Sequence, residues 1–169
     1  PVLVDDDGTV VFEGTAVLLY LADRFPSAQL GPAVGDPKRG DFLKWLAYMT
    51  NTHQIAMQIY FMPDRFTTSA SGHDDITAKG IERLDESWRL IDATCAAPGP
   101  YLLGETFSVC DLHLQMLTLW HRDSAAMRAR YPHVKRCAEL VEQRPAVQRI
   151  MKDHGPDWDA HYPDFPGPP

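Results

Sequence analysis

The pattern of the sequence changes near residue 26, and this change limits the folds that the chain can adopt. Before it, two short β-prone runs, Leu3–Val4 and Val10–Phe12, flank an Asp-Gly pair, which predicts a β-hairpin. A helix over about Gly14–Phe25 follows; it is apolar nearly all round, which predicts burial, and Pro26 ends it. A hairpin and one helix are too small to form a domain, so we expect the rest of that domain to lie upstream of Pro1.

Beyond a linker at residues 27–36, only helical patterns follow. Asp36 and Pro37 can begin a helix that runs to about Tyr60. A second helix, at about Asp75–Ala96, carries one apolar stripe at alternating spacings of four and three. The residues of this stripe are Thr77, Ile81, Leu84, Trp88, Ile91 and Cys95. We expect its central members, Leu84 and Trp88, to lie inside a helical bundle.

The remaining helices are marked by their first turns. Ser108 begins a helix that reaches roughly His121, and Pro132 and Pro145 begin two more, the last of which ends near His154. Residues 155–169 form a Pro-rich tail whose three aromatic residues predict that it packs along the body. The predicted fold class is α+β but mostly α. It has a hairpin and helix over residues 1–26, the linker, an all-helical domain over residues 37–154, and the tail.

Composition narrows the class of protein. The net charge of −7 argues against a nucleic-acid partner, because binding phosphates requires clustered Lys and Arg. No apolar run approaches the ~20 residues needed to span a membrane, so we expect no membrane partner. The three cysteines, Cys95, Cys110 and Cys137, lack CxxC spacing and fall in predicted helices, which favours buried thiols in a reducing compartment. The histidines lack the spacing of metal ligands, so we expect no metal site.

The strongest candidate for a binding site is the turn formed by Glu13, Gly14 and Thr15, which closes a strand and opens a helix. The first N–H groups of a helix have no internal partner, and the helix dipole adds partial positive charge there. A small carboxylate can therefore bind at Gly14 and Thr15, while Glu13 offers negative charge to an adjacent cation. Together these charges fit the zwitterionic head of a free amino acid. The alternative is that Glu13 and Thr15 only cap the helix.

The start of the chain resembles the second half of the thioredoxin-like domain of bacterial-type members of the glutathione S-transferase superfamily. Three segments carry this resemblance: Pro1–Gly8, Phe12–Val17 and Tyr20–Asp23. The all-helical remainder is also similar to that superfamily. Gly104–Asp111 resembles its capping-box segment, and Arg144–Val147 resembles its last turn. The resemblance covers nearly the whole chain except the Pro-rich tail. It implies that the N-terminal part of the thioredoxin-like domain is missing from this sequence.

The resemblance implies roles for the first residues of the chain. Pro1 resembles the family's cis-proline, and Glu13 matches the acidic member of the acidic-Ser pair that holds the γ-glutamyl head of glutathione. Gly14 stands where many members have Ser, so a hydroxyl contact is lost while the N–H remains, and Thr15 can partly substitute. The family's thiol-activating Tyr, Ser or Cys lies in a region absent from this sequence, so no catalytic residue is assigned to this chain.

The same resemblance places a hydrophobic electrophile against the helix that begins near Asp36. The candidate pocket residues there are Trp45, Tyr48, Met49, His53, Gln54, Met57 and Tyr60. The alternative is that this aromatic and Met stripe belongs to the core. Some bacterial members have a His near the active site at the position of Gln54, and His53 precedes it by one residue. One helical step is about 100°, so the two side chains point differently and His53 cannot take over that role.

Ser108 and Asp111 match a capping box, in which the Ser108 hydroxyl accepts from the Asp111 N–H and the Asp111 carboxylate accepts from the Ser108 N–H. A catalytic Ser–Asp pair is the alternative. Because no histidine stands at a useful spacing, we interpret the pair as structural.

For the intact protein the resemblance implies a glutathione transferase, a cytoplasmic homodimer that serves in detoxification. Its reaction is attack of the thiolate of its co-substrate, glutathione, on a hydrophobic electrophile, or a related glutathione-dependent reduction. The alternative is a non-catalytic member that uses the fold for binding or assembly. A Tyr, Ser or Cys at the activating position would favour the enzyme, and the present chain by itself is expected to lack catalysis.

Overall fold

The hairpin predicted from the Asp-Gly pair is present. In the computed structural model, which describes residues 1–154, strands β1 (Val2–Val4) and β2 (Val10–Phe12) pair antiparallel. The N–H of Gly8 donates to the Asp5 carbonyl at 2.9 Å, and the Asp5 N–H donates to the Thr9 carbonyl at 2.9 Å. Gly8 has a φ of 85°, in the left-handed region that favours glycine. The Pro-rich tail, with its expected packing, lies outside the described residues.

Helix α1 (Gly14–Arg24) follows the hairpin and lies against the helical body. Ala22 is its one buried residue, while Leu18 and Leu19 are half-buried and pack against the core. The prediction that this helix is buried all round is therefore wrong for the part of the chain that the structure describes. The reason is that α1 meets the core through one face only.

Seven further α-helices follow within the described range. They are α2 (Arg39–Tyr48), α3 (Gln54–Phe61), α4 (His73–Cys95), α5 (Val109–Trp120), α6 (Ser124–Arg130), α7 (Pro132–Glu142) and α8 (Pro145–His154). The sequence did not predict α6, whose start is capped by Asp123, since the Asp123 carboxylate accepts from the Ala126 N–H at 2.8 Å. Up to residue 154, no helix has the length and apolar character needed to cross a membrane.

The helix expected from Asp36 to about Tyr60 is interrupted. It starts at Arg39 rather than Pro37, and a π-helical turn over Met49–His53 separates α2 from α3. Residues 50–53 have the sequence Thr-Asn-Thr-His, four weak helix formers in succession. Single π turns inside helices are frequent at functional sites.

The apolar stripe of α4 faces the core over most of its length. Leu84 is 4% exposed and Trp88 is 1% exposed, which confirms the prediction that both lie inside the bundle. Ile81 belongs to the same stripe, but its side chain is 52% exposed. Gly80 is buried there instead, since a Cβ at this position would lie 2.6 Å from the backbone nitrogen of Tyr60. Helix α3 therefore packs against α4 at Gly80, and the neighbouring Ile81 lies outside this contact.

Helix α5 is central, because it contacts α1, α2, α6 and α7. It begins with a capping box: the Ser108 N–H donates to Asp111 Oδ2 at 2.8 Å, and Ser108 Oγ accepts from the Cys110 N–H at 3.2 Å. The Leu102 N–H donates to Asp111 Oδ1 at 2.8 Å, so the carboxylate also holds the preceding loop. Burial raises the pKa of Asp111, against the opposing effect of these donors.

The predicted linker is tied to the helical body. The carbonyl of Leu30 accepts from the N–H of Val109, the first residue of α5, at 2.7 Å, which satisfies a donor that the helix itself leaves unpaired. At Gly31, a Cβ would lie 2.8 Å from the ring of Phe42, so the chain passes directly over that ring. The linker therefore fixes where α1 lies relative to α2 and α5.

Helices α7 and α8 begin at Pro132 and Pro145, as the sequence predicts. No flanking side chain caps α7. The carboxylate of Asp92, on α4, accepts instead from the N–H groups of His133 at 2.8 Å and Val134 at 2.9 Å. A cap supplied by a distant helix fixes the position of α7 on α4 as well as its start.

We predict that Asp111→Ala lowers the free energy of unfolding by about 2–3 kcal/mol, because the buried N–H groups of Ser108 and Leu102 lose their acceptor. Asp111→Asn keeps the shape and one acceptor oxygen, so it should cost less. Urea unfolding of both variants and the wild type measures the difference. A loss below about 0.5 kcal/mol for the alanine variant would contradict this role for the carboxylate.

Candidate functional site

The turn between β2 and α1 has a strained backbone. Glu13 lies there with φ 70° and ψ 118°, a positive φ that residues other than glycine rarely adopt. Such strain costs on the order of 1–3 kcal/mol and persists where the surrounding structure imposes it, often at ligand-binding sites. The conformation directs the chain from the hairpin into the helix within one residue.

The first turn of α1 has no side-chain cap from any residue that the structure describes. The Glu13 carbonyl accepts from the Val17 N–H at 2.9 Å, which is the first bond of the helix. In this structure the side chains of Glu13 and Thr15 therefore do not cap α1, which the alternative interpretation required. Gly14 lies beside Pro1, since a Cβ on Gly14 would be 3.8 Å from Pro1 Cγ. The four residues predicted for the glutathione site thus lie together, with the N-terminal end of a helix dipole among them.

The hydroxyl of Thr15 is already engaged. It forms a hydrogen bond with the hydroxyl of Thr50. The Thr50 hydroxyl also donates to the Leu46 carbonyl at 3.0 Å. A hydroxyl carries one proton, so with the Thr50 proton on the Leu46 carbonyl the Thr50 oxygen is placed to accept from Thr15. In that arrangement Thr15 offers a ligand its backbone N–H, and its hydroxyl is engaged with Thr50.

Thr50 is the residue at this site that the sequence did not single out. Its hydroxyl reaches α1 from the π-helical turn at Met49–His53. The run of weak helix formers at residues 50–53 was the available signal, but it does not say where the turn points.

The seven residues expected to line an electrophile pocket divide into two groups. The first group is buried and belongs to the core, as the alternative interpretation stated. Its members are Trp45, Met49, His53 and Met57. Tyr48, Gln54 and Tyr60 are half-buried and remain partly accessible. The division arises because α2 and α3 present one face to α4 and α5 and the other to solvent.

Trp45 also borders a surface cavity of about 260 Å³ between α2 and the loop before α5. The cavity is lined by Lys38, Asp41, Lys44, Trp45, Thr94, Ala97 and Leu102–Gly104. None of the residues at the Glu13 turn is among them. The cavity that Trp45 borders is therefore separate from the Glu13 turn.

His53 is fully buried and structural. Its Nδ1 lies 2.8 Å from Ser87 Oγ, and its ring meets the Trp88 ring edge to face at a centroid distance of 4.2 Å. Burial lowers the pKa of His53 to about 3, helped by repulsion from His113 and His121. This placement agrees with the expectation that His53 cannot take the position of an active-site histidine.

Ser108 and Asp111 lie in the buried start of α5, where their hydrogen bonds serve the helix. In residues 1–154, no group of three or more His, Cys, Asp or Glu is close enough to hold a metal ion. Cys95, Cys110 and Cys137 are free and buried, as predicted.

Comparison with known proteins identifies the family. Residues 50–154 match the family described as "Glutathione S-transferase, C-terminal domain". A glutathione S-transferase from a sphingomonad, solved with glutathione, is 30% identical, with a TM-score of 0.78 over 92% of this chain and 74% of that chain. A glutathione transferase homologue from Sulfitobacter, with bound glutathione, is 28% identical, with a TM-score of 0.80 over 92% and 82% of the two chains. Glutathione S-transferase GstA of Escherichia coli O157:H7 is 25% identical over 160 residues, 92% of this chain and 73% of GstA. This chain belongs to the glutathione S-transferase family.

We predict that Glu13→Gly stabilises the protein relative to Glu13→Ala, by about 1 kcal/mol, because glycine relieves the strain at φ 70° whereas alanine keeps it. Both variants lose the carboxylate, so the comparison isolates the backbone. Differential scanning calorimetry measures the two melting temperatures. An alanine variant as stable as the glycine variant would show that the turn is not strained.

A second prediction concerns how the free energy of unfolding depends on pH. The folded state holds His53 and His113 neutral, with burial lowering their pKa values from 6.5 to about 3 and about 4. The unfolded chain binds their protons below pH 6.5, so the stability that both groups provide is complete above that pH and is lost as pH falls towards their folded pKa values. Each contributes a slope of up to about 1.4 kcal/mol per pH unit.

Urea unfolding between about pH 7 and about pH 4 tests this, because the histidines of the unfolded chain gain their protons within that range. His53→Gln should flatten the dependence relative to the wild type, since one titrating group is removed. Asp111 acts in the opposite direction, because its raised pKa makes protonation favour the folded state. Equal slopes in the variant and the wild type would contradict the assignment.

Proposed function

We propose that the protein is a glutathione transferase whose turn at Glu13–Thr15 binds the γ-glutamyl head of glutathione. The observation that carries the proposal is the strained, uncapped start of α1 at this turn, with a carboxylate beside free first-turn N–H groups. Family membership supports it, because two of the similar solved structures contain glutathione. The comparisons do not favour a non-catalytic binding or assembly role.

In this proposal the α-carboxylate of the γ-glutamyl unit accepts from the N–H groups of Gly14 and Thr15. The helix dipole adds partial positive charge at the same place. The α-ammonium lies next to the Glu13 carboxylate, and a charged hydrogen bond of this kind is stronger than a neutral one. Pro1, adjacent to Gly14, borders the same site. Glutathione is thereby held by its zwitterionic end, with its thiol directed away from the turn.

The proposed reaction is a nucleophilic attack. The glutathione thiolate forms a bond from sulfur to an electrophilic centre of a hydrophobic substrate, and the leaving group departs with the electron pair of the broken bond. Reduction by glutathione is a related possibility within the same chemistry. The residue that lowers the thiol pKa is proposed to lie outside these 169 residues. The partly accessible Tyr48, Gln54 and Tyr60 are proposed to border the electrophile.

The wider setting is proposed from the same family membership. The enzyme would act as a cytoplasmic homodimer in detoxification, and three free buried thiols are consistent with a reducing compartment.

Calorimetric titration of the full-length protein with glutathione tests the head-group site. Glu13→Gln removes the charge and keeps the shape, so the dissociation constant should rise by about tenfold. Gly14→Ser is the matched control: the position has room for a Cβ, and the added hydroxyl lies beside an N–H that already donates, so binding should be kept. An unchanged dissociation constant for Glu13→Gln would mean that Glu13 does not contact glutathione.

A further inference from the structure

Helix α1 is fastened to the helical body at both of its ends. Near its N-terminus the Thr15 hydroxyl bonds to the hydroxyl of Thr50. Near its C-terminus the Asp23 carboxylate accepts two bonds from the Arg39 guanidinium, each at 2.8 Å. The two contacts are eight residues apart on one helix, a separation of about 12 Å along its axis. They therefore allow the effect of each end to be measured separately.

The contact at the N-terminal end has a defined direction. Thr50 Oγ1 lies 3.0 Å from the Leu46 carbonyl oxygen, and donation to that carbonyl leaves the Thr50 oxygen to accept from Thr15. Donation to a carbonyl four residues earlier is a known arrangement for threonine in a helix, and here it occurs where the π-helical turn widens the helix. The Thr50 oxygen is thus oriented towards α1 by its own backbone. The acceptor for Thr15 is therefore itself held by a second hydrogen bond.

We propose that Thr50 is a positioning residue for glutathione: it holds the first turn of α1 in the orientation in which the Gly14 and Thr15 N–H groups meet the γ-glutamyl carboxylate. The inference rests on the proposed function. Thr50 does not itself touch the ligand in this account. Its effect is to order the donors before binding, so that less conformational freedom is lost when glutathione binds.

The assignment also limits which group recognises the carboxylate. Because the Thr15 proton is used on Thr50, the carboxylate meets N–H donors of the main chain alone at residues 14 and 15. No side-chain hydroxyl then replaces the serine that many family members have at the position of Gly14. Binding of the carboxylate therefore depends on how the main-chain N–H groups are oriented. A substitution at Thr50 should therefore lower the affinity for glutathione, although Thr50 does not contact the ligand.

Three variants of the full-length protein test the proposal, with glutathione as the titrant. Thr50→Val keeps the shape and removes the acceptor, and we expect the dissociation constant for glutathione to rise by about fivefold. Thr50→Ser restores a hydroxyl and should recover wild-type affinity. Asp23→Asn weakens the fastening at the other end of α1, and it should lower the melting temperature while leaving the dissociation constant unchanged.

The outcomes separate this inference from the proposed function. If the wild-type protein does not bind glutathione, the proposed function is wrong and the inference falls with it. If the wild type binds and Thr50→Val binds equally well, Thr50 is not a positioning residue while the proposed function stands. If Thr50→Val and Asp23→Asn weaken binding to the same extent, or Thr50→Ser fails to restore it, the effect is general loosening of α1, and the assignment to Thr50 is overturned.

Discussion

A single buried carboxylate organises the start of the central helix, and the candidate site depends on that helix. The Asp111 carboxylate accepts hydrogen bonds from the N–H groups of Ser108 and Leu102. These bonds fix the start of α5 and the loop before it. The first N–H of α5 then pairs with the carbonyl of Leu30 in the linker. Because the linker leads back to α1, the position of the first helix relative to the body follows from how α5 begins. Removal of water from these groups makes their pairing obligatory, since an unpaired buried donor costs more than a hydrogen bond gains.

The turn at Glu13 illustrates why a binding site needs such support. A non-glycine residue at φ 70° is strained, and the first turn of α1 lacks a side-chain cap. Both features weaken the local structure unless neighbouring contacts compensate. The bond from Thr15 to Thr50 supplies that compensation at the turn, while the bond from Asp23 to Arg39 holds the other end of α1. The site is therefore held from outside its own segment, which leaves its N–H groups available to a ligand.

Much of the fold follows from local sequence signals, and the exceptions have physical causes. The Asp-Gly pair predicts the hairpin, and prolines mark the starts of α7 and α8, because these signals act within a few residues. The stripe of α4 does not predict that Gly80 is buried and Ile81 exposed, because the close approach of Tyr60 to Gly80 is a contact between two helices, which no single-helix pattern contains. The role of Thr50 depends on the π-helical turn in the same way. Helical periodicity placed His53 on the same stripe as pocket residues, but the packing of its ring on Trp88 put it in the core.

The central claim is that the first-turn N–H groups of α1 receive the carboxylate of glutathione. Nuclear magnetic resonance titration of the ¹⁵N-labelled full-length protein with glutathione tests it most directly, because amide shifts report hydrogen bonding at each N–H. The account predicts that the largest changes occur at Gly14 and Thr15, while the His133 and Val134 amides, already bonded to Asp92, stay unchanged. Saturable binding that leaves the Gly14 and Thr15 amides unmoved would contradict it.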